Sequence, residues 1–260
     1  MLKQIIINSI LIFIFSSIFV FAVEITGNDI EEIYNQSNKS QSIDYKIKFG
    51  VNTGASTPIP ISNRLSNFSW KPTFCPFTEI NLAFFNKDSW GFSTGAKIEY
   101  KGMDISANVY QLYTEVEIDN LLTKGYFTGS NETFLKVGYF TIPLCINYNL
   151  SNFCNFNLGT YASIKLAGEF KGAVKKGYIR VGEPTGERTD VEINEFDFSD
   201  EIRTFNFGII GGFCKHITKK IYFDLQLNWA VNDLLNANFT GISYDLYNVY
   251  ASIGVCYKLK

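Results

Sequence analysis

The sequence predicts an all-β fold, an eight-stranded antiparallel up-and-down transmembrane β-barrel. Two observations predict it: apolar and polar side chains alternate along eight segments, and short turns alternate with long connections between them. Strand side chains point alternately to opposite faces, so period-two alternation indicates a strand between an apolar and a polar medium. The clearest segment is 221–232, with Leu225, Leu227 and Trp229 in its apolar set and Asp224 and Asn228 in its polar set. The question is which medium is the apolar one.

The first residues predict export. Lys3 precedes an apolar run over 5–21, and Ala22 follows the run. This is the arrangement of a secretory signal peptide and its cleavage site. An uncleaved transmembrane anchor is the alternative, because the run is nearly long enough to span a bilayer. We expect a signal peptide over 1–22, a polar periplasmic tail over 23–43 and a barrel over 44–260. No later stretch has the apolar length of a membrane helix, so the mature chain spans a membrane as a barrel or not at all.

The composition argues against several classes of function. The 23 Lys and Arg residues and 25 Asp and Glu residues give a net charge of -2, which leaves no basic surface for nucleic acid. The chain has one histidine, His216, and its five cysteines have no zinc-site spacing, so the sequence predicts neither a metal nor a cofactor. Cys145 and Cys154 lie where a hairpin would bring them close, but we expect mostly free structural thiols.

The expected strands are the segments that alternate. They are 44–56, 74–85, 90 onward, 133–149, 155–170, 203–215, 221–232 and 247–259. The third segment reaches Ile118 if its phase slips near Gly102 or Gln111. Tight turns are expected at 86–89, 150–153 and 218–219, and long connections at 57–73, 103–132, 171–202 and 233–246. Short turns at one end and long loops at the other are typical of an outer-membrane barrel whose turns lie in the periplasm.

A soluble, lipocalin-like barrel with a ligand in an apolar interior is the alternative arrangement. The apolar set is bulky on every strand, and eight strands leave too little interior space for it. We therefore expect this set to face lipid. The lipid-facing candidates on two strands are Phe140, Ile142, Leu144, Phe223, Leu225, Leu227 and Trp229. Aromatic residues near strand ends are expected to form the interfacial girdles: Tyr45, Phe84, Trp90, Phe92, Tyr148, Phe156, Phe205, Tyr222, Trp229, Tyr247 and Tyr257.

The polar set predicts a charged lumen. Its charged members are Lys46, Lys48, Lys97, Glu99, Lys101, Lys165, Glu169 and Asp224. Unpaired charge in a narrow space is costly, so these side chains are expected to form a salt-bridge network that plugs the barrel. The alternative is a small solute path that prefers anions near the lysine-rich first and third strands. Eight strands are too few for an aqueous channel of porin size.

Five motifs resemble the PorT-like outer-membrane β-barrel family of Bacteroidota, which is similar in architecture to the small OmpA-like and OmpX-like barrels. They are Phe-Gly-Val-Asn-Thr-Gly at 49–54, Gly-Tyr-Phe-Thr-Ile-Pro-Leu at 138–144, Leu-Gly-Thr-Tyr-Ala at 158–162, Asn-Phe-Gly-Ile-Ile-Gly-Gly at 206–212 and Asn-Trp-Ala-Val-Asn-Asp-Leu at 228–234. The resemblance covers nearly the whole mature chain and implies a small outer-membrane barrel. Such barrels usually end on an aromatic residue, whereas this chain ends Tyr-Lys-Leu-Lys at 257–260.

The sequence favours an integral outer-membrane protein of structural or interaction type. Enzymatic outer-membrane barrels use Ser-His or Asp-His pairs near the extracellular rim, whereas His216 adjoins the expected periplasmic turn, so we expect no enzymatic activity. The resemblance to the PorT-like family implies a second possibility, an accessory role in protein secretion across the outer membrane.

The expected partners are outer-membrane lipid and lipopolysaccharide, the outer-membrane insertion machinery, and a protein at extracellular loops 103–132 and 171–202. The second of these loops is basic and then acidic in sequence, through Lys175, Lys176, Arg180, Glu183, Glu187, Asp190, Glu192, Glu195, Asp197, Asp200 and Glu201. It is expected to be either a solvated loop or a surface that binds a protein, a divalent ion bridging to lipopolysaccharide, or a host molecule.

Overall fold

The computed structural model describes residues 42–59, 64–71, 73–85, 89–118, 121–151, 154–191 and 194–259. The expected signal peptide over 1–22 and nearly all of the expected periplasmic tail over 23–43 lie outside the described residues. Within these ranges, no helix is long and apolar enough to cross a membrane.

The described chain consists almost entirely of strands. They are β1 (Ser42–Thr57), β2 (Leu65–Lys71), β3 (Pro76–Phe85), β4 (Trp90–Ile118), β5 (Leu121–Ser151), β6 (Cys154–Val181), β7 (Arg188–Val191), β8 (Asn194–Asp197), β9 (Phe205–His216), β10 (Ile221–Ala230) and β11 (Tyr247–Lys258), with one short 3-10 helix at Ser199–Glu201. The 10 residues of β10 match the length of about 9–11 residues that a tilted strand needs to cross a bilayer, and the 12 of β11 slightly exceed it.

Eight of these strands form a closed ring in the order β1, β3, β4, β5, β6, β9, β10 and β11. The ring closes where β1 pairs antiparallel with β11, from Lys46 opposite Lys258 to Thr57 opposite Tyr247. The connections β3–β4, β5–β6 and β9–β10 lie at the same end as the first residue of β1 and the last of β11. The predicted eight-stranded antiparallel β-barrel is therefore confirmed.

The prediction that 103–132 and 171–202 are loops was wrong, whereas the alternative in which the third strand reaches Ile118 with a phase slip near Gln111 was correct. β4 continues to Ile118, β5 begins at Leu121 and β6 continues to Val181, so the three strands extend far beyond the ring as one sheet. β2 adds to this sheet beside β4, and β7 and β8 add to it beside β6. A bulge between Val109 and Leu112, with Gln111 at φ 49°, shifts the phase of β4, so strict alternation is lost within a continuous strand. We call the part of this sheet outside the ring the extracellular sheet, after the expected orientation in which the short turns lie in the periplasm.

The outer surface of the ring is apolar on every strand. Each ring strand exposes a large apolar side chain by 49% to 68%: Phe49, Ile80, Ile98, Ile146, Leu158, Phe205, Leu227 and Val255. Keeping one such side chain in water rather than burying it costs about 1.5–3 kcal/mol. The interior is polar instead, and an apolar ligand cavity inside the ring is excluded. This overturns the soluble, lipocalin-like alternative.

The polarity of both faces of the sheet reverses at one level. The inward side chains of β4 are, in order, Lys97, Glu99, Lys101, Met103, Ile105, Ala107 and Val109. The outward side chains run in the opposite sense through Ile98, Tyr100, Asp104, Ser106 and Asn108. The neighbouring strands reverse at the same level, because Met103, Leu135 and Phe170 form one inward row by register and Gly102, Lys136 and Glu169 form the adjacent outward row. On the side of this level that carries the short turns, which we call below, the barrel is apolar outside. On the other side, which we call above, the sheet is apolar inside.

Candidate functional site

The centre of the lumen is organised around Glu99 on β4. Its carboxylate lies 2.8 Å from Lys97 Nζ and 3.4 Å from Lys101 Nζ, and all three side chains are at most 2% exposed. Asn52 Nδ2 and Thr141 Oγ1 donate to the two carboxylate oxygens at 2.9 Å and 2.8 Å. Alternation places the three charged residues on one face of β4, and β1 and β5 supply the neutral donors. Glu99 therefore has donors on both oxygens, which is the condition for burying a charge.

A second ion-pair group lies in the same lumen. Lys48 Nζ is 3.4 Å from Glu79 and 3.5 Å from Asp224, and Asn81 Nδ2 donates to Glu79 at 3.0 Å. Together the two groups contain three lysines and three carboxylates, so their formal charges cancel. Glu79 was not among the predicted lumen charges, although the alternation of the second strand already placed it opposite Ile80.

Neutral side chains extend the hydrogen-bond network around Glu99. Lys97 Nζ donates to Ser252 Oγ at 3.1 Å, Ser252 Oγ donates to Asn52 Oδ1 at 2.6 Å, and Asn228 Nδ2 donates to Ser252 at 2.9 Å. In the turn-side half of the lumen, a cavity of about 30 Å³ is lined by Lys48, Asp224 and other polar groups. This volume holds about one or two water molecules. The geometry is that of a plug made of side chains.

The turn-side end of the lumen carries Lys46. Its Nζ lies 3.9 Å from Asp44 and 5.1 Å from the centroid of the Tyr222 ring, and Lys258 Nζ lies 2.7 Å from Asp44. Tyr222 was predicted to belong to an interfacial girdle, and this was wrong because its side chain is buried on the inward face of β10.

Two of the predicted lumen charges are not in the network. Lys165 is half-buried, and its Nζ donates to the backbone carbonyl of Ile202. Glu169 lies outside the lumen, 58% exposed, with one oxygen 3.7 Å from Lys171 Nζ. A bulge explains the difference. Gly138 pairs with Ala167 and Tyr139 pairs with Lys165, so Leu166 has no partner on β5. The inward-facing residues of β6 therefore change from odd to even numbers at this point. The prediction for Glu169 was therefore wrong, whereas Lys46, Lys48, Lys97, Glu99, Lys101 and Asp224 are all buried on the inward face.

The predicted lipid-facing residues all lie on the outward face of the ring. Ile142, Leu227 and Trp229 are exposed. The remaining four, Phe140, Leu144, Phe223 and Leu225, are partly covered by their neighbours.

An apolar layer covers the mouth of the lumen. Its inward row of Met103, Leu135 and Phe170 packs with buried side chains from the connections, namely Ile202, Leu234, Leu235 and Leu246. Ile202 and Leu235 form a β-bridge, and the backbone N–H of Leu246 donates to Asp233 Oδ1 at 2.8 Å. Burial raises the pKa of Asp233, and this hydrogen bond opposes the shift. We call this set the mouth layer. It separates the charged lumen from the extracellular sheet.

The cysteines and the histidine are the remaining candidates for chemistry that the sequence offered. All five cysteines are free, and no group of three or more His, Cys, Asp or Glu side chains in the described ranges is arranged to hold a metal ion. His216 lies at the turn end of β9, with Nε2 3.2 Å from Asn155 Oδ1 and its ring 4.3 Å from that of Tyr222.

The charges of the extracellular sheet are partly paired with one another. Lys175 Nζ lies 2.8 Å from Glu132, and Arg188 lies 2.7 Å from Asp190 and stacks on Tyr178 at 4.3 Å. The Ser199 hydroxyl donates to Asp197 and holds the pKa of that carboxyl below its usual range. The predicted acidic residue Glu192 lies outside the described residues. The outer face is therefore a mixed, solvated surface of both signs.

Glu99→Gln tests the network. The change leaves Lys97 and Lys101 buried without their counter-charge, so we expect a loss of about 3–5 kcal/mol in the free energy of unfolding. The measurement is urea unfolding of the purified protein followed by tryptophan fluorescence. Glu169→Gln is the matched control, because an exposed ion pair contributes at most about 1 kcal/mol. Equal losses in the two variants would contradict a buried network centred on Glu99.

The comparisons agree with the geometry of the barrel. The model of the outer membrane protein beta-barrel domain family matches residues 34–236. No curated protein matches the sequence significantly.

Several solved structures match at low identity. Ail, the attachment invasion locus protein of Yersinia pestis, is 9% identical over 85% of this chain and 99% of that chain, with a TM-score of 0.37. OprG from Pseudomonas aeruginosa is 12% identical over 84% of this chain and 97% of that chain, with a TM-score of 0.34. Neisserial surface protein A is 9% identical over 84% of this chain and 99% of that chain, with a TM-score of 0.33. The family model covers well over half of the sequence, and the chain therefore belongs to the outer membrane protein beta-barrel domain family, with its barrel in the outer membrane.

Proposed function

We propose that this protein is a closed, non-enzymatic outer-membrane barrel that acts through its extracellular sheet. The observation that carries the proposal is the filled lumen: three lysines and three carboxylates neutralise one another, and the mouth layer covers them. A solute would have to break buried ion pairs and then pass an apolar layer. Among the described residues, the extended parts of β4, β5 and β6 are the largest structure outside the ring.

The reversal of polarity supports a position for the membrane boundary. Below the row of Gly102, Lys136 and Glu169 the outward side chains are apolar and suit lipid. Above it most outward side chains of β4 and β5 are polar and suit water, with Phe134 and Tyr110 as apolar exceptions. Lys136 lies on this row with its Nζ 5.3 Å from the Tyr100 ring centroid. Its position suits contact with a phosphate of lipopolysaccharide, which is one of the partners that we propose, together with lipid on the lower surface.

Two outward lysine substitutions on β4 test this boundary. Ile98→Lys places a charge below the boundary, and we expect it to lower the free energy of unfolding in lipid vesicles by about 2–4 kcal/mol. Ser106→Lys places a charge above the boundary, and we expect it to lower the same free energy by only about 0–1 kcal/mol. Urea titration in the same vesicles provides the measurement. If Ser106→Lys were as destabilising as Ile98→Lys, the boundary would lie higher than the reversal of polarity.

Conductance measurements in planar bilayers distinguish a plugged lumen from an open pore. We expect the purified protein in planar bilayers to give no stepwise currents, because its lumen is filled and charge-balanced. A sixteen-stranded porin, reconstituted in the same way, provides the positive control, since barrels of that size hold an aqueous channel. Reproducible steps with a preference for anions would instead favour a solute path along the lysines of β1 and β4.

The partner that we propose for the extracellular sheet is a protein with an extended segment. β2 pairs with β4 on one side only among the described strands, so its other edge presents backbone donors and acceptors to the surroundings. Such an edge binds an extended peptide by continuing the sheet.

The second candidate is an accessory role in protein secretion. It derives from the motifs at 138–144 and 206–212 that resemble the PorT-like family. Deletion of the gene, followed by comparison of the proteins in the culture medium, decides it: loss of secreted cargo, restored by the full chain, supports the role. An unchanged set of secreted proteins with an intact outer membrane would exclude it.

A further inference from the structure

A cavity of about 160 Å³ lies above the mouth layer, against the inner face of the extracellular sheet. Its walls come from β4, β5 and β6, with Ile105, Val109, Phe127 and Ile179 among them. The opposite side is lined by Gly241, Ile242, Tyr244 and Leu246. None of its lining residues is charged, in contrast to the lumen below. The site is therefore built for an uncharged group.

The opposite wall is attached to the sheet. Thr114 Oγ1 donates to the carbonyl of Gly241 at 2.9 Å, and the rings of Phe198 and Phe239 are 4.7 Å apart. Tyr244 lines the cavity, and burial raises the pKa of its phenol, so this side chain stays neutral at physiological pH. The cavity is thus a defined space between two connected walls.

Aromatic rings form one side of the cavity. Phe170, Phe196 and Phe198 all line it, with the Phe196 and Phe198 rings stacked at 4.8 Å and the Phe170 and Phe198 rings edge-to-face at 5.7 Å. Aromatic pairs favour further ring contacts in offset or edge-to-face geometry. A planar aromatic ligand therefore suits this wall better than a flexible chain does.

One polar atom in the cavity wall lacks a hydrogen-bond partner. Asn131 Nδ2 donates to Thr133 Oγ1 at 3.2 Å, but Asn131 Oδ1 is buried and accepts no hydrogen bond from the described residues. A buried acceptor without a donor is costly, by about 1–3 kcal/mol. Asn131 lies at a bulge in the pairing of β5 with β6, opposite Ala107 on β4, and both residues line the cavity. A ligand that brings one donor would satisfy this oxygen.

We propose that this cavity binds a small uncharged phenol, with the ring against the phenylalanines and the hydroxyl donating to Asn131 Oδ1. The size agrees, because an apolar protein cavity of about 150 Å³ binds benzene. The site lies on the extracellular side of the reversal of polarity, so the ligand would arrive from outside the cell. The proposal is separate from protein binding by the sheet and does not depend on it.

Fluorine NMR on the protein in lipid nanodiscs tests the proposal, with para-fluorophenol as the probe. Empty nanodiscs measure partition of the probe into lipid, and only saturable binding above that level counts. We expect fluorobenzene to bind about fivefold to tenfold more weakly, because it lacks the hydroxyl donor. We expect no binding of para-fluorobenzoate, whose carboxylate would be buried without a counter-charge. Absence of saturable para-fluorophenol binding, or equal affinity for fluorobenzoate, would overturn the proposal.

Three variants locate the site. Ala107→Phe fills the cavity and should abolish saturable binding, whereas Asn108→Ser, on the outward face next to it, should leave the affinity unchanged. Asn131→Leu removes the acceptor at similar volume and should reduce the affinity for para-fluorophenol to that for fluorobenzene. Heat-modifiable migration on gels checks that each variant is folded. If Ala107→Phe does not fold, Asn131→Leu decides alone, and an unchanged preference for the phenol in that variant would refute the site.

Discussion

Pairing of β1 with β11 is the constraint on which the rest of the structure depends. It closes the sheet at eight strands and removes the free edges that a membrane would not tolerate. Closure at this strand number also fixes a narrow interior, which only side chains can fill. Because the outer surface must be apolar in lipid, period-two alternation sends the polar side chains inward. The lumen is thus charged as a consequence of the barrel being closed and small.

A closed lumen then requires its charges to cancel. Each buried ion loses several kcal/mol of solvation, and a partner recovers this only with good geometry. Glu99 meets the requirement with Lys97 at 2.8 Å and with two neutral donors. Lys101 Nζ and Asp224 Oδ1 have no hydrogen-bond partner among the described residues, and their side chains are stabilised by the longer ion pairs with Glu99 and Lys48. The ring strands that supply these groups are far apart in sequence. The network therefore fills the lumen and connects strands across it. It holds the strands together in the way that an apolar core does in a soluble protein.

The alternation in the sequence was sufficient to predict the ring, because lipid and lumen impose opposite demands on alternate residues of every strand. It predicted Lys97, Glu99 and Lys101 correctly as one inward face. It failed where a single unpaired residue changes the phase, as at Leu166, which moves Glu169 to the outer face. Such bulges depend on the pairing of two strands, and no single strand contains that information. The phase slip near Gln111 and the extension of the third strand to Ile118 were anticipated, whereas the extensions of β5 and β6 were missed.

In the extracellular sheet the apolar side chains face inward, whereas in the barrel they face outward. Once β4 leaves the lipid, water lies on its outer face, so the apolar side chains must face inward, and the reversal occurs between Lys101 and Met103 without any break in the strand. An inward apolar face that extends past the mouth layer has to be covered, and residues 241–246 cover only part of it. The remaining space is the cavity that contains the unpaired oxygen of Asn131. A cavity beyond the mouth layer is thus a physical consequence of extending three barrel strands into water.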